Sequence, residues 1–562
     1  MDFIIKPYKV NNKEIYVVRD DLLPFGTKQR AGVDYLKSLP QKEIIYCSPP
    51  NGMGQLALAQ CGKIANKKII IFSPYRINKH KLTKEVEKLP NTKVFIKKVK
   101  KFSELYSFAQ KYQNEHPNSK LLDLGFFDKK FIDLMVQNIK QHWPHSFDIP
   151  KMWIVGGSGT LLNALYLVFP KTHFNVVQVG HQIWEEHLNH SRTTIIIPPQ
   201  KFEEEVQNLP PYPSSRTYNA KIWQFLPNKV KNGDYVWNVA GEINDLPLLK
   251  DIITKKEVLQ MFSNLKKYKV LNRISFQKYQ IKNISNKIPL LFNGKPTLII
   301  NKDTDFKNWN ELSSYFTEEC RMKCEVIGKN SPEKYWEKHK NEIYEKTYET
   351  YKKVNIHNLR ETLFQSHKQC TSFRPNIIKS IIDLFQCHSV LDFSSGWGDR
   401  LIGAISSNVD YVGIDPNKCL IKGYQEIIKT LGNSNFKKYQ MINGKAENVK
   451  IPNRKYDLVF TSPPYFDIET YTKNKSQSLS YGGEKEWYNK FLLPVLKKVW
   501  DVLIPSGIMA ININQKQGDN YIEWMLNDVG KFINCEYLGV ISYANEQLSN
   551  PQPIWIWIKK KT

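Results

Sequence analysis

The chain has 562 residues, too many for one hydrophobic core, and at roughly 150 residues per domain two to four domains are expected. Its 41% hydrophobic and 24% charged content excludes a disordered or fibrous chain, and no apolar run approaches the ~20 residues that span a bilayer. A net charge of +27 attracts polyanions, so affinity for nucleic acid follows whether the charge serves binding or reflects a Lys-, Asn- and Ile-rich composition. The start MDFIIKPYKV lacks the charged-then-apolar pattern of a secretory signal. The cysteines (Cys47, Cys61, Cys320, Cys324, Cys370, Cys387, Cys419, Cys535) are thinly spread. Both features point to a reducing, intracellular setting, cytoplasmic or a viral replication compartment, with no membrane. Cys320 and Cys324 have helical spacing with Cys370 nearby, but a fourth zinc ligand is lacking and no metal is assigned.

Residues 1–245 alternate strand-like runs (IYVVRDDL, EIIYCSPP, KKIIIFSP, TKVFIKKV, KMWIVGGSG, FNVVQVG, TTIIIPP) with helix-like stretches such as GQLALAQCGKIANK. That alternation predicts a mostly parallel α/β sheet. Three motifs follow strands here. Lys28 stands just beyond the Gly26 turn, and a lysine so placed can form a Schiff base. Asn51, in Ser48-Pro-Pro-Asn51-Gly, enters a helix and can hydrogen-bond a phenolic oxygen. Gly156, Gly157, Ser158, Gly159 and Thr160 join a strand to the helix LLNALYLVF, a loop suited to a phosphate monoester.

Residues 246–370 read differently, as a mixed α+β middle region without a catalytic signature. LPLLKDIITKKEVLQMFSNLKKYKVLN is helical, IPLLFNGKPTLIIN is a hairpin about Asn293-Gly294, and two further helical stretches follow, one starting at Ser331-Pro332. From 371 to 562 the alternation resumes with about seven strands. The first ends in Asp392-Phe-Ser-Ser-Gly396-Trp397-Gly398, where glycines let a ligand approach the backbone and the next helix offers free N–H groups. The second ends in Asp415, either an acceptor for both hydroxyls of a ribose or a cap before Pro416. The third leads to Lys445, Ala446 and Glu447, a plausible adenine edge. The fourth delivers Ser462, Pro463, Pro464 and Tyr465. An exocyclic base amine is a poor nucleophile because its lone pair is conjugated. A Ser side chain and a Pro carbonyl can accept its hydrogens and localise the lone pair, and Tyr465 can stack on a base drawn out of its helix. Two prolines stiffen the loop. Phe466, Asp467 and Glu469 are further pocket candidates, and Phe373 and Arg374 precede the first strand as a segment that packs on a cofactor.

Residues 389–514 resemble the class I S-adenosylmethionine-dependent methyltransferases that modify adenine N6 or cytosine N4 of DNA, with Ser462 tilting toward cytosine. The resemblance implies a Rossmann-like sheet of seven strands. It places the donor on Phe373, Asp392, Gly396, Trp397, Gly398, Asp415, Ala446 and Glu447, and catalysis on Ser462, Pro463, Pro464 and Tyr465. Lys445 stands where related enzymes often carry an acid, and Trp397 is unusual within such a loop. No Pro-Cys dipeptide occurs in the loop, which argues against ring-carbon methylation. The front motifs resemble the fold type II pyridoxal-phosphate enzymes, especially the aminocyclopropane-carboxylate deaminase and D-cysteine desulfhydrase group. That implies pyridoxal phosphate held by Lys28 at its aldehyde, Asn51 at its 3-hydroxyl and Gly156–Thr160 at its phosphate. Asn238 is the one candidate for the pyridine nitrogen. The expected architecture is therefore two doubly wound parallel-sheet α/β domains joined by the middle region. The expected function is bifunctional: methylation of a base amino group on nucleic acid (DNA over RNA), and chemistry on an unidentified small amino compound. The rival readings are methylation of RNA or a small-molecule amine, with a front domain that only binds.

Overall fold

The computed structural model describes residues 2–242, 246–269, 291–292, 295–296, 299–301, 309, 311–466, 468–471, 478–514, 519–544 and 552–561. Contacts divide the chain into two units, Met1–Leu246 with Lys340–Leu359, and Pro247–His339 with Arg360–Thr562. The segment read as a separate middle region is thus shared out between the two. Among the described residues no helix is long and apolar enough to cross a membrane.

The first unit holds two sheets where one was expected. The larger is built from β1 (Ile5–Val10), β2 (Lys13–Arg19), β7 (Lys151–Gly156), β8 (His173–Gln178), β9 (Thr193–Ile196) and β10 (Tyr235–Asn238), in the order β1-β2-β10-β7-β8-β9. All neighbours are parallel except the β1–β2 hairpin. The smaller is built from β3 (Glu43–Cys47), β4 (Lys68–Pro74), β5 (Thr92–Lys97) and β6 (Ser119–Leu122), all parallel, in the order β5-β4-β3-β6. Strands buried on both faces read as unbroken apolar runs, which is why EIIYC, KIIIFSP and KMWIVG were legible. β1 and β6 lack such runs, and β10, buried along its whole length, is only four residues long; none of the three is among the expected strands.

In the second unit the short β11 (Leu291–Phe292), β12 (Lys295–Pro296) and β13 (Ile299–Asn301) join the edge of the main sheet. The expected hairpin pairs Leu291 with Pro296 and Phe292 with Lys295, while its Asn293-Gly294 corner lies outside the described residues. β14 (Glu325–Val326) pairs with β19 (Glu469–Thr470). The main sheet comprises β15 (Ser389–Asp392), β16 (Asp410–Asp415), β17 (Tyr439–Asn443), β18 (Tyr456–Thr461), β20 (Leu503–Asn512), β21 (Cys535–Ala544) and β22 (Gln552–Lys559). Their order is β21-β22-β20-β18-β15-β16-β17. β17 to β20 are parallel in this order, and β22 is antiparallel to both neighbours. The order reverses between β15 and β18, and ligands of such sheets bind beyond the carboxyl ends of the strands at that reversal. Cys320 and Cys419 form a disulfide between the helix Glu311–Arg321 and the turn Lys418–Leu420, a pairing the thin spread of cysteines did not foreshadow.

The first unit turns on a buried carboxylate. Asp20, wholly buried after β2, pairs with Arg30 at 2.6 Å and accepts from Thr27 Oγ1 at 2.8 Å and Trp237 Nε1 at 3.1 Å. Removing one partner of a buried pair strands the other charge and costs about 3–5 kcal/mol. Asp20→Ala is therefore expected to lower the melting temperature of this unit by about 10 °C in calorimetry, and an unchanged transition would remove the anchor from the account.

Two candidate sites at the carboxyl ends of the central strands

Lys28, Asn51 and the whole run Gly156–Thr160 line one cavity of about 430 Å³ in the first unit. Each arrives from the carboxyl end of a different strand: β2, β3 and β7. Gly26 has φ +70°, and a Cβ there would stand 2.4 Å from Val239 O, so only glycine lets the turn before Lys28 lie against the end of β10. Thr27 N–H donates to the same carbonyl at 2.8 Å. The Lys28 ammonium lies 5.5 Å from the Phe126 ring centre, and burial lowers its pKa to about 8. The Asn51 loop is stiffened by Gln55, which donates to the Pro49 and Pro50 carbonyls. Asn51 itself is buried, its amide donates to Phe202 O at 3.3 Å, and its Oδ1 has no partner. Gly159, left-handed at φ +81°, starts the helix Thr160–Val168, whose amino end adjoins the hydroxyls of Ser158 and Thr160, 2.9 Å apart. Tyr46 and Tyr218 also line the cavity; nothing in their spacing signalled it. Asn238 does not line it: its amide is spent on Asp21, Pro213 O, Ser214 and Asn219.

A cavity of about 720 Å³ in the second unit is lined by Phe373, Arg374, Gly396, Trp397, Asp415, Lys445, Ala446, Glu447, Glu469 and all of Ser462–Tyr465. It opens at the reversal between β15 and β18. Asp415 ties two loops together, accepting from Gly396 N–H and Asn417 N–H, both at 2.9 Å. It thus caps the turn after Pro416 and also faces the cavity. Burial pushes its pKa up to about 6, and the two N–H groups only partly offset this. Trp397 is pinned by its Nε1–H to Thr371 O at 2.8 Å. Glu447 bonds Tyr481 and lies 3.9 Å from Lys445. The Tyr465 hydroxyl accepts Asn514 N–H at 3.0 Å, while the Ser462 hydroxyl has no partner among the described residues.

Two expected donor contacts need correcting. Asp392 is fully buried and does not line the cavity; it accepts from Ser394 N–H, Arg400 Nε, Tyr411 Oη and Thr461 Oγ1. Gly398 is not in the lining either: at φ +94° it starts the helix Asp399–Ser406, and a Cβ there would stand 2.7 Å from Ile427 Cδ1. Phe466 packs on Trp487 and Tyr521 instead of the cavity, and Asp467 lies outside the described residues. Glu469 does line it and accepts from Thr371 N–H at 3.0 Å. Asn512, Asn514, Tyr471, Tyr481 and Tyr543 line it unforeseen. Alternation along GIMAININ was the one available signal, for Asn512 and Asn514. Among the described residues no group of three His, Cys, Asp or Glu side chains is placed to hold a metal.

No protein-family model matches the chain, and no curated protein does. Solved structures similar to its N-terminal part include an ACC deaminase homologue, at 12% identity over 43% of this chain and 90% of that one, TM-score 0.36. Isoform 2 of threonine deaminase from Solanum lycopersicum matches at 15% over 43% and 81%, TM-score 0.32. The O-acetylserine-dependent cystathionine beta-synthase from Helicobacter pylori matches at 13% over 43% and 93%, TM-score 0.33.

Only the neutral amine of a lysine acylates. Burial lowers Lys28 from the ordinary lysine value of 10.5 to about 8, so it gains that form at lower pH than a surface lysine. In pulse acylation of the full chain read by peptide mass spectrometry, Lys28 labelling, corrected for access, is expected to rise to half-maximum near pH 8. A midpoint shared with the surface lysines would refute the desolvation.

Proposed function

We propose that the second unit transfers a methyl group from S-adenosylmethionine to the exocyclic amino nitrogen of a nucleic-acid base, with DNA favoured. The observation that carries this reading is the Ser462 hydroxyl, without a partner among the described residues, on a proline-stiffened loop in the same cavity as Gly396 and Asp415. The seven strands β15–β18 and β20–β22 match the sheet that the family resemblance implies. S-adenosylmethionine, when bound, supplies an electrophilic methyl group. The carboxylate of Asp415 would accept the ribose hydroxyls, and Ala446 and Glu447 would border the adenine. Ser462 Oγ and the Pro463 carbonyl accept the amino hydrogens and localise the nitrogen lone pair. Tyr465, its hydroxyl held by Asn514, offers its ring to the base.

The first unit we read as a pyridoxal-phosphate-dependent enzyme acting on an amino compound. The convergence of Lys28, Asn51 and the Gly156–Thr160 loop on one cavity supports it. The group fits the residues present: a buried amide oxygen without a partner, a desolvated lysine, and a helix amino end with two hydroxyls. Pyridoxal phosphate, when bound, supplies an electron sink for a carbanion. Lys28 would hold the aldehyde, Asn51 the 3-hydroxyl, and Gly156, Gly157, Ser158, Gly159 and Thr160 the phosphate.

Nucleosides from DNA incubated with the full chain and donor should show a methylated amino base by mass spectrometry. Loss of an acceptor aimed at the reacting group costs about 10²–10³ in rate, so Ser462→Ala is expected to fall by that factor. Full activity in this variant would sink the mechanism. Methylation of RNA or free nucleosides in place of DNA would shift the substrate. Lys28→Ala should abolish visible absorbance after loading with pyridoxal phosphate; a chain that never acquires that absorbance is a binding module in front. Because Asp415 acts as a carboxylate, affinity for S-adenosylhomocysteine should weaken as pH falls below about 6. In calorimetric titrations Asp415→Asn should bind weakly at every pH, and a wild-type affinity that is flat with pH would contradict the ribose role.

A further inference from the structure

The run Lys97-Lys98-Val99-Lys100-Lys101 closes β5 and leads to the rim of the front cavity, which Val99, Lys100, Lys101 and Arg76 line. Lys97 lies 5.0 Å from the ring of the partly exposed Phe108, and Lys98 lies 5.5 Å from that of Tyr75. Tyr75 is 48% exposed and sits between the cavity-lining Pro74 and Arg76. Two carboxylates temper the patch: Glu203 pairs with Arg76, and Glu104 accepts from the Lys100 and Lys101 N–H groups. Five cations face them, and the Lys100 and Lys101 ammonium groups have no ion-pair partner among the described residues. Cations strung along a backbone, interleaved with exposed aromatic faces, are the means of holding unpaired nucleotides: phosphates meet the lysines and bases stack on the rings. A duplex hides its base faces, and a cavity of about 430 Å³ admits a side group but not a helix.

We propose that this rim binds single-stranded nucleic acid, so that the amino compound offered to Lys28 is carried on a strand. The proposal rests on the reading of the cavity as a cofactor site, and its test separates the two. The full chain is irradiated with a single-stranded oligonucleotide bearing 5-iododeoxyuridine, and cross-links are located by peptide mass spectrometry. Cross-links are expected at Tyr75 or at Phe102, which follows Lys101 and also lines the cavity, resistant to an equal concentration of deoxyuridine monophosphate. Their yield should fall roughly tenfold or more in Lys100→Glu/Lys101→Glu and, at that site, in Tyr75→Ala, the scale of one lost stacking or charge contact. Cross-links confined to residues 360–562, yields unchanged in both variants, or equal competition by the mononucleotide or by inorganic phosphate would overturn the proposal. The same samples are loaded with pyridoxal phosphate. Cross-links at the rim without visible absorbance would overturn the cofactor reading alone, and absorbance without cross-links would overturn the nucleic-acid reading alone.

Discussion

Beside each cavity stands a buried carboxylate that is not part of its lining. In the first unit Asp20, at the end of β2, is held by Arg30 ten residues on; in the second, Asp392, at the end of β15, is held by Arg400 eight residues on. The arginine in each case comes from the helix that follows the functional loop. A buried ion pair so placed fixes where that helix starts, and hence where the loop before it can go. It is weak as a source of net stability, because desolvation offsets much of the attraction. Its value is positional: hydrogen bonds from neutral groups on neighbouring strands and on the loop itself complete the satisfaction of each carboxylate. Thr27 and Trp237 do this for Asp20, and Tyr411 and Thr461 for Asp392.

Upon these anchors the two cavities are tuned in opposite senses by the same force. Desolvation disfavours charge of either sign, so it lowers Lys28 toward a neutral amine and raises Asp415 toward a neutral acid. The lysine becomes a better nucleophile. The acid keeps its charge with the help of the Gly396 and Asn417 N–H groups. In both units the tuned residue leaves a strand at its carboxyl end, where helix amino termini and free loop N–H groups collect. That common construction places two unrelated glycine loops, Gly156–Gly159 and Gly396–Gly398, at equivalent positions of their sheets.

Much of this was legible in the residues. Strands buried on both faces announce themselves as apolar runs, and loop motifs sit at their ends, so the convergence of Lys28 with Asn51, and of Asp415 with Ser462, was open to reading. What failed did so for physical reasons. Asp392 and Gly398 belong to the expected loop, but a motif does not distinguish a residue that touches a ligand from one that holds the loop in place. Asn238 was a candidate with no partner motif beside it, and its amide is consumed by four neighbours. Tyr218, Tyr471 and Tyr543 reach their cavities through tertiary packing, which leaves no periodic trace. The pairing of Cys320 with Cys419, 99 residues apart, is likewise a product of the fold alone.

The stretch before the main sheet of the second unit carries no motif, yet it bears directly on the loop Gly396–Gly398. From the helix Glu311–Arg321, Ser313 Oγ donates to Asp399 at 2.6 Å and Thr317 Oγ1 to the Trp397 carbonyl at 2.9 Å. Gly423 meets the same helix so closely that a Cβ would stand 2.6 Å from Thr317 Cγ2. Burial pushes the Asp399 carboxyl up to about 7, and the Ser313 hydroxyl is the first contact that lowers it again. The helix therefore backs the loop that Gly396, Trp397 and Gly398 form, and its disulfide to Cys419 ties it to the turn beyond Asp415. A segment with no chemistry of its own sets the positions of both loops that frame the second cavity, so the site extends well beyond the residues that a family resemblance can name.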